Sequence, residues 1–332
     1  MVTGATGHVG NTLVRRLRER GETVRCLALP GEDVAHLSAL DVEIVRGDVR
    51  READLDAAFA GADTVYHLAS VISLRPGQTE LLRSVNVEGT RNVIAACRRC
   101  NIRRLVYASS VHAFVEPPRG TAIDESTPVD PEAIPAAYGK SKAAATRIVQ
   151  AAAAEGLDAV IVCPTGVIGP FDFLGSEMGA LFRLYMRRRL AAYVDGAYDF
   201  VDVRDVADGL IAAAERGRRG ELYILSGELI TVRELLEALA ASTGIRPPRL
   251  KAPAWLADIA AAVTTAASRL GRGRPLFTSD SLAILRSNSL VATDKAAREL
   301  DWRPRPIRDS IADTVRWLSE PPGLGRQAVK GQ

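Results

Sequence analysis

The chain has only four cysteines in its 332 residues, Cys26, Cys97, Cys100 and Cys163. So few cysteines predict no disulfide framework, and without a signal-peptide pattern the expected location is the cytoplasm. Cys97 and Cys100 have Cys-x-x-Cys spacing, but no second Cys/His pair accompanies them. Because they lie in the apolar-periodic segment TRNVIAACRRC, the sequence favours packing over a metal or redox site, and no metal is expected.

Long apolar runs and an excess of one charge are also missing. No run of about 18 uncharged apolar residues indicates a membrane span. The 43 basic and 40 acidic residues are scattered and leave a net charge of +3, which argues against a nucleic-acid footprint. The main basic run is MRRRL, at Arg187 to Arg189, and a solvated helix face is favoured there over an anion contact. The expected partner is a small-molecule substrate.

Strand-like and helix-like segments alternate through the first half of the chain. Strands are predicted at ETVRCLAL, VEIVRGDV, DTVYHLAS, RRLVYASS and LDAVIVCPTGVIG, with helices such as GNTLVRRLRERG and YGKSKAAATRIVQAAAAEG between them. Strands separated by helices of this length are typical of βαβ units and a parallel sheet. We therefore expect an α/β fold in which residues 1–165 form a doubly wound parallel-sheet Rossmann domain.

The second half is less regular. Short strands (AAYVD, ELYILSG) mix with helices (TVRELLEALAAST, APAWLADIAAAVTTAASRLG, DSIADTVRWLSE). We expect residues 166–320 to form a smaller substrate-binding region that is partly interleaved with the Rossmann sheet. Residues 321–332 are polar and rich in glycine and proline, which predicts a disordered tail.

The opening stretch MVTGATGHVG places Gly4, Gly7 and Gly10 where a helix begins. Such glycines permit a tight turn, close approach of the backbone to a pyrophosphate and close packing of helix on strand. The helix start adds free N–H groups and a positive dipole end. The pattern predicts a dinucleotide site. Because only Met1 to Thr3 precede the first glycine, we expect either a shortened central strand or a true start further upstream.

Tyr138 and Lys142 in YGKSK lie four residues apart and share one face of a helix. An adjacent ammonium is expected to lower the pKa of a tyrosine by favouring the phenolate, which makes the pair a candidate general acid/base. Ser109 and Ser110 end the strand RRLVYASS, at the edge where open α/β sheets bind ligands. A hydroxyl there can donate to a substrate carbonyl oxygen.

These residues belong to an ordered series of motifs. TGATGHVG, GD at Gly47 and Asp48, VYHLAS, NVEGTRN, YASS, YGKSK, CPTGVIGP, FVDVRDVADG and LDWRPRP follow one another over nearly the whole chain. The series resembles the extended short-chain dehydrogenase/reductases, of the NAD-dependent epimerase/dehydratase family. Within them the chain is most similar to dihydroflavonol reductase-like enzymes, 3-beta-hydroxysteroid dehydrogenases and hopanoid-associated sugar epimerases.

The resemblance implies an NAD(P)-dependent oxidoreductase that interconverts a carbonyl and a secondary alcohol. Tyr138 would exchange the proton, Ser110 would hold the reacting oxygen, and Lys142 would tune Tyr138 and bond the nicotinamide ribose. Asp48 and Val49 would meet the adenine. With Tyr138 and Lys142, the implied cofactor-binding set comprises Gly4, Thr6, Gly7, His8, Val9, Gly10, Asp48, Val49, His67, Leu68, Ala69, Asn86, Ser109, Pro164, Thr165, Gly166 and Val167.

The choice between NAD and NADP stays open. At the end of the second strand the chain reads CLALPGED, and Ala28 and Leu29 can bind neither a ribose 2′-hydroxyl nor a 2′-phosphate. Glu32 and Asp33 come slightly late for the hydroxyl. Arg15 and Arg25 are candidates for the phosphate.

Two rival functions remain. A nucleotide-sugar epimerase would use the same triad with a retained cofactor, and it would need a basic grip on a diphosphate, for which Arg183, Arg187 and Arg204 are candidates. A non-catalytic NAD(P) sensor is disfavoured by the Tyr/Lys pair. A dehydratase is disfavoured because Val111 and His112 follow Ser110, where those enzymes have Thr-Asp-Glu.

Three further expectations concern the surroundings of the site. His112 is a candidate substrate-side donor, although a structural contact is favoured. Trp255 is a candidate lid over an apolar substrate, although core packing is favoured. The resemblance implies a homodimer that pairs through the NVEGTRN and YGKSK helices, whose outer faces are rich in alanine.

Overall fold

The computed structural model describes residues 1–72, 78–253 and 290–320, together with Trp255, Leu256, Ile259, Ala283, Leu285 and Ser287. The described strands are β1 (Val2–Thr3), β2 (Arg25–Ala28), β3 (Glu43–Arg46), β4 (Thr64–His67), β5 (Arg104–Ala108), β6 (Ala159–Pro164), β7 (Gly166–Ile168), β8 (Ala192–Tyr193), β9 (Ala197–Asp202), β10 (Leu222–Leu225), β11 (Glu228–Thr231) and β12 (Leu250–Lys251).

The described helices are α1 (His8–Glu19), α2 (Ala35–Ser38), α3 (Glu52–Phe59), α4 (Thr79–Leu82), α5 (Gly89–Arg99), α6 (Ala137–Ala154), α7 (Glu177–Met186), α8 (Val203–Arg216), α9 (Val232–Thr243), α10 (Asp294–Leu300) and α11 (Ile307–Ser319). A π-helical turn, Arg83–Glu88, leads into α5, and a 3₁₀ turn, Val111–Ala113, follows β5. Within these described residues, no helix is long and apolar enough to cross a membrane.

Seven strands form one parallel sheet in the order β10-β6-β5-β4-β1-β2-β3. The predicted doubly wound parallel sheet is therefore confirmed. The sequential order of the strands reverses beside β1, and such a switch point opens a crevice at the carboxyl ends of the strands. Although β1 has only two residues, Val2 pairs with Cys26 on one side and Tyr66 on the other.

The two faces of the sheet are covered because successive side chains of each strand point to opposite sides. In β5, Leu105 and Tyr107 join the core cluster under α3, α5 and α6, while Val106 joins the cluster under α1 and α8. All three side chains are at most 1% exposed. A buried strand of this kind reads as a continuous apolar run, which is why LVY marked it in the sequence.

The second half of the chain contributes to both parts of the molecule. It adds β10 to the large sheet, and α8 packs against α1, β5 and β6. It also forms a three-stranded sheet, β11-β9-β7, and a two-stranded sheet, β12-β8. A third core cluster, which includes Phe182, Leu239 and Ile311, lies among α7, α9 and α11. The expected partial interleaving is confirmed.

Four predictions from the sequence need correction or lie outside the described residues. LDAVIVCPTGVIG was predicted as one strand, but it forms two, β6 and β7, which belong to different sheets. Trp255 is 63% exposed, so its predicted core packing is wrong. Most of the predicted APAWLADIAAAVTTAASRLG helix and the predicted tail, 321–332, lie outside the described residues.

Candidate active site

The carboxyl ends of β1, β4, β5 and β6 lie next to one another in the sheet. The segments that follow these strands bring together most of the predicted cofactor-binding residues. Gly4 to Gly10 follow β1, Leu68 and Ala69 follow β4, Ser109 and Ser110 follow β5, and Pro164 to Val167 span the end of β6 and most of β7.

The glycine turn after β1 closes tightly against its neighbours. Gly4 has φ +68°, and a side chain there would come within 2.6 Å of the Ala69 backbone nitrogen. A side chain on Gly10 would overlap the carbonyl oxygen of Gly4. Gly7 differs, because an added Cβ would meet only the Gly4 oxygen, at 3.4 Å. Gly4 and Gly10 therefore serve the packing of the turn, whereas Gly7 has room for a Cβ at ordinary van der Waals distance from the described atoms.

The start of α1 suits an anion. Gly7 is the N-cap residue, no side chain among the described residues caps this helix, and its first turn carries no acidic residue. The unpaired N–H groups and the positive end of the helix dipole are thus left for a ligand. The pyrophosphate of a dinucleotide fits this cradle.

The segment after β2 brings one carboxylate to the cradle. The Thr6 hydroxyl donates to Glu32 Oε1 at 2.7 Å, and the Leu29 N–H donates to Glu32 Oε2 at 3.0 Å. A tight turn at Pro30 and Gly31, where Gly31 has φ +81°, returns the chain far enough for this contact. Glu32 therefore lies beside the cradle even though it comes late in the sequence.

Neither arginine considered for a 2′-phosphate is free to bind one. Arg15 is 5% exposed, and its guanidinium lies 4.7 Å from the ring centre of Phe171 and 5.5 Å from that of Phe173. Arg25 starts β2, so it lies at the opposite edge of the sheet. It donates to the Ala58 carbonyl there. Both guanidiniums are thus engaged by protein groups, and a phosphate contact by either of them stays a prediction.

Three predicted cofactor-binding side chains point into the protein. His8 Nε2 lies 2.9 Å from the Pro170 carbonyl, and burial lowers the pKa of His8. His67 is 1% exposed and hydrogen-bonded on both ring nitrogens. The Ser109 hydroxyl lies 2.6 Å from that of Thr146. Only the backbone of these residues is left for the cofactor.

The residues predicted to meet the adenine, Asp48 and Val49, and the residue predicted to support the site, Asn86, all have protein partners. Asp48 is bound by Arg50, which keeps the pKa of its carboxyl below the ordinary value. Val49 is buried in the core. Asn86 lies in the π-helical turn, and its amide nitrogen donates to the Val71 carbonyl and the Ser141 hydroxyl, both at 3.0 Å. Asn86 thus ties the segment after β4 to α6.

The three predicted catalytic side chains come together at the end of β5. Ser110 follows β5 and acts on Tyr138, since it works to lower the pKa of the Tyr138 hydroxyl. Lys142 lies one turn further along α6, and its Nζ donates to the Ala108 carbonyl at 2.7 Å. The helix approaches closely because Gly139 leaves room for the His112 carbonyl, which an added Cβ would meet at 2.6 Å.

Burial dominates the electrostatics of this group. Tyr138 and Lys142 are 8% and 3% exposed. Burial raises the pKa of Tyr138 to about 12, against the weaker lowering effect of Ser110, and lowers the pKa of Lys142 to about 7. The expectation of a lowered Tyr138 pKa is wrong for this state, because the desolvation cost of the phenolate is the largest effect on it.

A second aromatic pair adjoins Tyr138. The His112 ring stands edge-on to that of Tyr138, with centroids 6.2 Å apart, and stacks on the ring of Tyr198. Burial lowers the pKa of His112 to about 4, so the imidazole is neutral at pH 7. Sequence reasoning missed Tyr198. The sequence pattern that could have identified it is the spacing of Tyr198, Phe200 and Asp202, every second residue, which places them on one face of β9.

The three arginines proposed for a diphosphate differ in their surroundings. Arg204 contacts Asp202 and Asp313 at 2.7 and 2.8 Å. Arg183 donates to the Asp172 carbonyl at 3.3 Å. Arg187 to Arg189 are exposed, but they follow α7 rather than lie on its face.

The prediction that the Cys97 and Cys100 pair serves packing is confirmed. Cys97 is fully buried in the core cluster, and burial raises the pKa of its thiol to about 12. Cys100 is partly buried, with its Sγ 3.8 Å from the Asp56 carbonyl.

Comparison with known proteins gives a consistent result. The family model of the NAD dependent epimerase/dehydratase family matches residues 1–226. Sterol demethylase protein B of Methylococcus capsulatus strain Bath is 37% identical over 322 residues, which cover 96% of this chain and 98% of that protein. The 4-hydroxy-2-methyl-3-oxo-4-farnesyl-3,4-dihydroquinoline-1-oxide ketoreductase of Stigmatella aurantiaca is 30% identical, covering 98% and 97% of the two chains.

A solved structure shares the fold. The UDP-glucose 4-epimerase of Thermus thermophilus, crystallised with NAD, superposes with a TM-score of 0.76. It is 25% identical in sequence, and the match covers 95% of this chain and 97% of the epimerase.

Proposed function

Because the chain belongs to the NAD dependent epimerase/dehydratase family, we propose that it is an NAD-dependent oxidoreductase. It interconverts a carbonyl and a secondary alcohol on a large, uncharged, apolar substrate. The observation that carries the proposal is the position of Tyr138 and Lys142 one helical turn apart on α6, with Lys142 Nζ donating to the Ala108 carbonyl, two residues before Ser110, at 2.7 Å.

In the reducing direction, Tyr138 gives its hydroxyl proton to the substrate oxygen while Ser110 donates a hydrogen bond to the same oxygen. A nicotinamide cofactor, when bound, would supply the hydride. The ammonium of Lys142 holds the ribose and favours the phenolate that proton transfer leaves on Tyr138. Residues 1–165 would bind the cofactor, and residues 166–320 would bind most of the substrate.

The cofactor choice follows from Glu32. Its carboxylate lies beside the cradle, where it can accept from a ribose 2′-hydroxyl but would repel a 2′-phosphate. Arg15 and Arg25 are engaged elsewhere, so neither guanidinium offsets the repulsion between Glu32 and a 2′-phosphate. We therefore propose NAD rather than NADP.

The apolar substrate class rests on two observations. His112, which stands edge-on to Tyr138, and Tyr198, which stacks on His112, are neutral aromatic groups. The names of the two relatives refer to a sterol and to a farnesyl quinoline oxide, both large apolar molecules. A nucleotide-sugar epimerase remains the rival, but Arg183 and Arg204 are held by protein groups and offer no diphosphate grip.

The test measures NADH oxidation with sterol ketones, isoprenoid ketones and UDP-sugars, in the wild type and in Tyr138→Phe. We expect turnover of an apolar ketone that falls about 10²- to 10⁴-fold in Tyr138→Phe, with unchanged NADH affinity. Tyr193→Phe is the matched control. Cofactor retained through purification, together with interconversion of a UDP-sugar, would favour the epimerase instead.

A further inference from the structure

The 3₁₀ turn that follows Ser110 holds this residue by both its side chain and its backbone. The His112 backbone N–H donates to Ser110 Oγ at 3.2 Å, and the Ala113 backbone N–H donates to the Ser110 carbonyl at 3.0 Å. Ser110 is the N-cap residue of the turn and has extended backbone, with φ −163° and ψ 154°. The position of the turn therefore determines where the Ser110 hydroxyl lies.

The hydrogen bond from His112 also limits what the Ser110 hydroxyl can do. A serine hydroxyl has one proton to donate and two lone pairs that can accept. Because the His112 N–H occupies one lone pair, the hydroxyl proton points to another neighbour. The same bond favours one of the three staggered rotamers over which a serine side chain otherwise spreads. The turn thus leaves Ser110 as a donor with a fixed direction.

Packing against α6 and the core holds the backbone of the turn. Val111 and Ala113 are 6% and 0% exposed, and both belong to the core cluster under α6. The His112 carbonyl lies against Gly139 of α6, where an added Cβ would come within 2.6 Å of the carbonyl oxygen. The two residues beside His112 are therefore fixed by burial, and its carbonyl is fixed by close approach to a helix.

The side chain of His112 is held by β9. Its Nε2 lies 2.9 Å from the Tyr198 hydroxyl oxygen, and the two rings stack with an angle of 16° between their planes. Burial lowers the pKa of His112 to about 4, so this contact joins two neutral groups at pH 7. Since both the ring and the carbonyl of His112 are held by neighbours, its N–H has little freedom to turn away from Ser110.

We propose that His112 and Tyr198 are positioning residues, which hold the His112 N–H on Ser110 and so keep the Ser110 hydroxyl a donor toward a substrate oxygen. Tyr198 lies on β9, in the second half of the chain. Through this contact the region expected to bind the substrate reaches the candidate catalytic serine. The inference rests on the proposed function only for the oxygen that accepts the Ser110 proton.

Hydrogen exchange of single backbone amides in the ¹⁵N-labelled protein tests the contact without any reaction. Ser110→Ala removes the acceptor of the His112 N–H but keeps the acceptor of the Ala113 N–H, the Ser110 carbonyl. We expect the protection factor of the His112 amide to fall about tenfold or more, and that of the Ala113 amide to change less than about twofold. Tyr198→Phe should also lower protection more at His112 than at Ala113, whereas the control, Tyr193→Phe, should change neither.

A double-mutant cycle tests what the contact does in catalysis. His112→Ala keeps the N–H but removes the ring that holds it, so we expect kcat for ketone reduction to fall about tenfold and KM to change less than about twofold. The effect falls on kcat because a hydrogen bond to the substrate oxygen strengthens as charge develops there. In a Ser110→Ala background the same substitution should lower kcat less than about twofold further. His112→Gln can still bond Tyr198 and should recover most of the lost kcat.

Unchanged protection of the His112 amide in Ser110→Ala overturns the inference. So does an equal loss at His112 and Ala113, because the whole turn would then have loosened. Additive effects of His112→Ala and Ser110→Ala on kcat overturn it as well, since His112 would act independently of Ser110. If the wild type reduces no ketone, the proposed function fails separately, and the exchange of the His112 amide decides whether the turn holds Ser110.

Discussion

His112 and Tyr198 form a stacked pair, with ring centroids 6.0 Å apart and His112 Nε2 2.9 Å from the Tyr198 hydroxyl. The pair joins the 3₁₀ turn after β5, which begins next to Ser110, to β9 in the second half of the chain. Gly166 makes the arrangement possible, because an added Cβ there would lie 2.7 Å from the Tyr198 ring.

Tyr198→Phe should therefore lower both stability and catalysis. The variant leaves a buried imidazole nitrogen without its partner, which costs about 1 to 2 kcal/mol in the free energy of unfolding. We expect kcat/KM to fall about tenfold while NAD affinity stays unchanged. Urea unfolding and steady-state kinetics check this against Tyr193→Phe. If kcat/KM is unaffected, the pair has no part in positioning Tyr138.

Glu32→Ala should relax the discrimination against NADP. Removing the carboxylate removes its repulsion of a 2′-phosphate, and it leaves Arg46, which now donates to the Glu32 carbonyl at 2.8 Å, nearby. We expect the ratio of the NADP and NAD dissociation constants to move by about tenfold toward NADP, equivalent to about 1.4 kcal/mol. Fluorescence titration measures both constants. Asp33→Ala is the control, because Asp33 accepts only from the Ala35 N–H among the bonds described, and an equal change in it would remove Glu32 from the site.

Gly7→Ala and Gly10→Ala should fail in different ways. The Cβ of Gly7→Ala meets no described backbone atom closer than 3.4 Å, so the fold should persist while the space for the pyrophosphate is filled. We expect its NAD dissociation constant to rise about tenfold or more. Gly10→Ala overlaps the Gly4 carbonyl and should lose about 3 kcal/mol of folding stability. Thermal melts and NAD titrations distinguish the two; normal NAD binding by Gly7→Ala would falsify the cradle.

Acid should destabilise the protein through its buried histidines. All four histidines have a lowered pKa in the folded state, to about 3 for His67 and about 4 for His112. Below the unfolded value, about 6.5, the unfolded chain takes up protons that the folded chain does not. Stability is therefore fully present above about pH 6.5 and falls until the pH passes the folded values, by about 5 kcal/mol for His67 and about 3 for His112.

Urea unfolding between pH 7 and pH 4 measures this slope. His67→Gln and His112→Gln should be less stable at pH 7 but should show a flatter decline with falling pH. A decline as steep as in the wild type would mean that carboxylates, not these imidazoles, govern acid unfolding.

The expected homodimer remains a prediction. Lys140, Ala144, Arg147 and Ala151 follow one another along the partly exposed face of α6. Ala144→Arg should convert a dimer to a monomer in sedimentation at micromolar concentration, because a long charged side chain prevents close helix approach. Ala241→Arg, on the exposed side of α9, should leave the dimer intact. A wild-type monomer, or a dimer in both variants, contradicts pairing through this face.

Local patterns in the sequence were enough to predict the βαβ order, the glycine turn, and the placement of Tyr138 and Lys142 on one helical face. These features follow from the period of a strand or helix and from the few residues that a tight turn allows. The edge of the sheet at which the candidate site residues lie was also predictable, because ligands of open α/β sheets bind at the carboxyl ends of the strands.

Tertiary structure alone decided which side chains face the site and how they are charged. Glu32 contacts Thr6, His112 contacts Tyr198, and His67 contacts Thr90, in each case across a long separation in the sequence. The raised Tyr138 pKa also depends on desolvation by several packed elements at once. Periodicity predicts which face of one element is buried, but it carries no information about which groups the neighbouring elements bring to that face.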